Sequence, residues 1–297
     1  MGVQELCAAT SCGHAELLVQ VVAVAWLVAL VLLAFTALSH VRDARRAVES
    51  ELDRTRDEAE ALERFRRQVA RIDASRPTQS VVGAGAGLGV VQGGVQSRGD
   101  PPDESLRRVR EAYRETVMAV PHFEEDYGES LEAHLAAEFG EEVAHSVTEG
   151  GQLSPQLRSM LVELADEGRE RRRSLGRALE DEVVALDEYE ERLADVERRA
   201  ADVVDYPLYQ RSFPELYRAW HALDDLEAEC ERVLARRQSS IHTERVVPTL
   251  DRGRESFHGY LYGELPVSYP VLAAGTDVVE RLHETRREVL RTLTRLV

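Results

Sequence analysis

Three Glu-x-x-His pairs are the residues best placed to do chemistry: Glu142–His145, Glu255–His258 and Glu280–His283. Positions i and i+3 share one face of a helix, and helical bundles build carboxylate-bridged di-metal centres from such pairs. A working centre also needs two further inward carboxylates. With 9 His in a chain of 54 acidic residues, pairs at this spacing also arise by chance, and its acids mostly mark solvated faces. The residues therefore predict no resident metal or cofactor, and these six side chains are the candidates for a metal-dependent alternative. His134 and Glu138, at i and i+4, meet the same objection. The run Arg169, Arg171, Arg172, Arg173 would suit a phosphate, but Glu167 and Glu170 among them predict ion pairing within one helix. No Ser-His-Asp or Cys-His arrangement can be read from the spacing, so no catalytic activity is inferred.

The three cysteines do not form a disulfide framework. Cys230 occupies an apolar helix position and predicts an inert buried thiol. Cys7 and Cys12 could pair with each other, pair across a dimer, or stay free. Two aromatic groups stand out: Tyr206, Tyr209, Phe213, Tyr217 and Trp220, then Tyr260, Tyr262 and Tyr269. Such groups can line a ligand pocket or anchor a partner. The favoured expectation is aromatic filling where helices change direction.

These residues must be positioned by a chain organised around 17–38, LLVQVVAVAWLVALVLLAFTAL, which carries no charge. Twenty-two helical residues reach about 33 Å, enough to cross a hydrocarbon core of about 30 Å. Arg42, Arg45 and Arg46 follow the span, whereas residues 1–16 hold Glu5 and Glu16 and no Arg. The positive-inside rule then puts 1–16 outside as a short tail and the remainder in the cytoplasm, a single-pass protein of the cell membrane. A cleaved signal peptide fits poorly, because there is no positive n-region and the apolar stretch is too long.

All 37 basic residues are Arg; there is no Lys and no Asn. The net charge is −17, and residues 100–297 alone hold 26 Arg against 43 acids. Such a domain repels nucleic acid and anionic lipid, so neither is an expected partner of it. It suits molar salt, where screening acts within about 3 Å. This composition resembles that of haloarchaeal proteins that keep salt in their cytoplasm.

Beyond the span, 39–75 reads as a juxtamembrane helix. Val41, Val48, Leu52, Thr55, Ala59, Leu62 and Val69 form a passable heptad seam. It predicts either a coiled-coil-like stalk in a parallel homodimer or a lone amphipathic helix with a solvated charged face. Residues 76–102 read as a Gly-rich flexible linker, since no phosphate-binding glycine motif can be read there. Residues 103–297 read as an acidic all-α domain, an elongated antiparallel helical bundle. Ser154-Pro155 opens a long helix, Pro214 another, and 202–215 joins them as a hairpin. A segment from Pro121 runs through 139. The last helix is capped at Thr276 or Asp277, with a stripe of Val279, Leu282, Leu290, Leu293 and Leu296.

The runs REAYRETVMAVPHFEEDYGESLEAHLAAEFG (110–140) and FHGYLYGELPVSYPVLA (257–273) resemble an uncharacterised haloarchaeal family with a helical domain of unknown function behind an N-terminal membrane span. The resemblance covers 103–297 and carries over no site residues. The expectation is a membrane-anchored cytoplasmic interaction protein, adaptor- or scaffold-like, held in the bilayer by 17–38 and binding an unknown protein partner. A single-span sensor and a Glu-x-x-His metal enzyme are the alternatives.

Overall fold

Apolar residues recurring every three or four positions, with Arg and Glu between them, dictate amphipathic helices. The structure, a computed structural model, describes residues 38–74, 102–205, 207–242 and 256–296. The helices are α1 (Ser39–Ala70), α2 (Pro102–Thr116), α3 (Phe123–Asp126), α4 (Leu131–Phe139), α5 (Glu141–Thr148), α6 (Pro155–Val203), α7 (Phe213–His242), α8 (Phe257–Tyr262) and α9 (Pro270–Arg295), with a 3-10 turn at Leu208–Gln210. No strand occurs among the described residues. Neither does any helix long and apolar enough to cross a membrane. The expected span 17–38, apart from Leu38, lies outside the described residues, as do the tail 1–16, Cys7, Cys12, Tyr206, Glu255 and all of the 76–102 linker but its last residue.

The chain divides into two units, and the division falls within both α1 and α6. In the unit formed by 50–180, α1 and α6 run antiparallel, joined by Arg56–Glu180 (2.6 Å) and Arg169–Glu63 (2.9 Å). Its core gathers Leu62, Phe65 and Val69 of α1 with Leu106, Val109 and Tyr113 of α2, Leu135 and Phe139 of α4, Val143 and Val147 of α5, and Leu161 of α6. Residues 39–75 are thus not a stalk set apart from the bundle. The seam residues Val41, Val48, Leu52, Thr55, Leu62 and Val69 are all buried inside this one chain, and the stripe that suggested a dimer is consumed by its own helices. The segment predicted from Pro121 to 139 is two helices, because Gly128 takes φ +55° and turns the chain between α3 and α4.

The other unit holds residues 1–49 and 181–297. Here α6 and α7 form the antiparallel hairpin expected from 202–215, with Arg199–Glu229 at 2.8 Å near the turn. Ser154 caps α6, accepting from the Leu157 N–H. The last helix begins at Pro270, with Pro at its first turn, rather than at Thr276 or Asp277. Gly275 therefore lies inside α9, where an added Cβ would come 2.2 Å from Leu234 Cδ2 of α7. Glycine lets these two helices approach. The buried stripe of α9 is Val271, Ala274, Val278, Leu282, Val289 and Leu293, while the predicted Leu290 and Leu296 are exposed.

Candidate functional site

Glutamates at helix positions that face a neighbouring helix can be buried only if a cation meets them. In the 50–180 unit, Arg172 of α6 meets two. Its Nη1 and Nη2 each donate to a Glu138 oxygen at 2.7 Å, and its Nε donates to Glu58 at 3.0 Å. Tyr127 Oη donates to the other Glu58 oxygen at 2.8 Å, where His122 Nε2 also lies at 3.3 Å. Burial acts to raise the Glu58 carboxyl, but Arg172, by charge and hydrogen bond, holds it below the usual carboxylate range. Beside this network, Tyr113 Oη and His134 Nδ1 are hydrogen-bonded at 2.7 Å. Burial lowers the His134 pKa and raises that of Tyr113. Phe65 contacts Tyr113 edge-on at 5.1 Å and stacks on Phe139 at 5.8 Å. The basic run therefore pairs between helices more than within one, with Arg169–Asp166 the pair of the expected kind.

In the other unit, Arg237 of α7 is 4% exposed and Glu182 of α6 is 8% exposed at the side chain. Arg237 donates twice to Glu182, at 2.5 and 3.2 Å, and its Nη2 lies 2.8 Å from His258 Nε2 of α8. A guanidinium only donates, so Nε2 accepts and the imidazole proton sits on Nδ1 in this arrangement. Tyr262 Oη donates to Glu182 at 2.5 Å, and the Arg237 guanidinium lies over the Tyr189 ring at 5.5 Å. Burial, then the Glu182 charge, pushes the Tyr262 phenol far above its usual range. Both networks are closed, with their polar atoms facing one another. What the geometry supplies is helix register: each carboxylate must meet its guanidinium for the unit to pack.

The sequence-derived candidates fall elsewhere. Glu142 and His145 are exposed on α5, and Glu280 is exposed on α9. His258 is buried against Arg237, and His283 pairs with Glu227 of α7 rather than with Glu280. Among the described residues, no group of three or more His, Cys, Asp or Glu is arranged to hold a metal ion. Cys230 is buried, its Sγ 3.6 Å from the Gly275 carbonyl, and burial pushes its thiol up to about 11. Sequence reasoning missed Glu182 and Arg237. The signal was present: both continue apolar stripes, Leu175–Leu179–Glu182–Leu186 and Cys230–Val233–Arg237.

The hairpin aromatics do not fill a turn. Tyr209, Phe213 and Tyr217 are 68%, 47% and 51% exposed. Phe213 and Tyr217 lie nearly parallel at 6.4 Å, Tyr217 meets the His221 ring at 4.5 Å, and Arg286 of α9 covers the partly buried Trp220 at 5.6 Å. Of the later group, Tyr262 is fully buried and Tyr269 exposed.

No curated protein and no solved structure matches the chain. A family model does, the domain of unknown function DUF7260, and it matches residues 39–286. That span takes in α1, which lies outside the 103–297 stretch that carries the resemblance, and α1 supplies core residues to the fold. The chain belongs to the DUF7260 family.

Proposed function

We propose that the chain is a membrane-anchored interaction protein. In this reading residues 17–38 hold it in the cell membrane, the tail 1–16 faces outward, and the helical domain works in a cytoplasm of molar salt by binding another protein. The carrying observation is the row Tyr209, Phe213, Tyr217, three large aromatic side chains each about half exposed or more on one stretch of chain. Exposed aromatic anchors of this kind dominate protein–protein interfaces. The closed networks support the same reading, because Glu58, Glu138, Glu182 and His258 are engaged by arginines of neighbouring helices.

The test is affinity capture with the full chain from a high-salt membrane and cytosol extract, beside the variant Tyr209→Ser, Phe213→Ser, Tyr217→Ser. A protein captured by the first and lost from the second, with helicity unchanged, carries the proposal. Identical captures would sink it.

A further inference from the structure

In a chain of net charge −17, three arginines gathered around one concavity stand out. Arg173 of α6 is exposed and has no hydrogen bond or ion pair among the described residues. It lines a surface depression of about 190 Å³ with Ala59, Glu60, Glu63, Arg64 and Arg67 of α1. Arg64 and Arg67 stand one turn apart on the same face.

The two carboxylates there do not consume the three guanidinium groups. Glu63 is already met by Arg66 at 3.0 Å and Arg169 at 2.9 Å, so Arg67, at 3.5 Å, is a surplus third cation on it. The Arg66 hydrogen bond, foremost, holds Glu63 down to about 2, so it stays an anion turned to those partners. Glu60 is 75% exposed and meets Arg64 at only 3.7 Å. Such a loose contact is worth little, and Glu60 is free to swing away. Ala59, the remaining lining residue, adds no charge.

From this arrangement we propose an oxyanion site for a phosphoryl group, held by Arg64, Arg67 and Arg173 and guarded by Glu60. Three planar guanidinium forks around one concavity suit an anion that offers several oxygens in a compact group, which phosphate and pyrophosphate do. The source is a soluble phosphorylated compound or a lipid headgroup. Binding weakens as salt rises.

Pyrophosphate titrated into the full chain in neutral detergent, followed by ³¹P line broadening at the lowest KCl that retains full helicity, tests the site. Saturable broadening is expected. Arg173→Gln should weaken it about tenfold, while Arg177→Gln, an exposed arginine paired with Glu170, leaves it within about twofold. Glu60→Gln should tighten it, a gain that no loss of folding would mimic. Displacement by phosphatidylglycerol vesicles but not phosphatidylcholine vesicles would identify a headgroup; displacement by neither would identify a soluble phosphate compound. Broadening that never saturates, equal effects of Arg173→Gln and Arg177→Gln, or equal competition by polyglutamate would overturn the proposal.

Discussion

Two aromatic groups in this chain have opposite fates. In the 50–180 unit Phe65, Tyr113 and Phe139 pack face and edge, and Phe65 and Tyr113 are wholly buried. In the other unit Tyr209, Phe213 and Tyr217 lie open. Composition does not separate them; neighbours do. Phe65 sits among apolar positions of α2, α4 and α6 that close over it. Phe213 and Tyr217 stand at the start of α7, off the stripe of its buried residues Leu216, Ala219 and Leu223. The contrast assigns stability to the first group and leaves the second open to solvent.

The largest expected effect breaks the closed group. Phe65→Ala should destabilise the chain by about 3–5 kcal/mol, read as a shift of the denaturation midpoint. Next is Arg237→Met, which strands Glu182 in a buried site. A loss of about 3 kcal/mol is expected by the same measurement, and Glu182→Gln in the same chain should recover part of it.

Acidification should act on the closed side as well. His134 has a folded pKa below its ordinary 6.5 because it is buried. Between those two values the unfolded chain binds more protons than the folded one, so stability is full above about pH 6.5 and falls as pH drops below it. Glu58, held below its ordinary 4.5, adds to the loss at lower pH, as pH falls through its folded value. Melting temperature against pH should show the first decline, and His134→Gln should flatten it. The smallest effect belongs to the open row: Phe213→Ser with Tyr217→Ser should change stability by no more than about 0.5 kcal/mol.

Helix content and the α6–α7 hairpin were legible because the 3.6-residue period and the Pro and Ser punctuation are local signals. Helix phase was less so. Adjacent apolar pairs such as Val278-Val279 and Val289-Leu290 leave the buried member undecided by pattern alone, and the structure buries Val278 and Val289. The partner of α1 was hidden for a different reason. An apolar seam records that something covers it, not whether that is a second chain or α2, α4 and α6 of its own. The charged networks were obscured by abundance: with 37 Arg and 54 acids, Glu182 and Arg237 look like surface until their stripe positions are counted.

The most direct measurement is oxidative labelling of aromatic side chains by hydroxyl radicals, comparing the full chain in its native high-salt cell lysate, membranes included, with the purified chain. Tyr209, Phe213 and Tyr217 should label strongly when purified and be protected in the lysate, while Phe65 and Tyr113 stay unlabelled in both. Equal labelling of the open row in the two states would contradict the proposal that it is a surface for binding a partner.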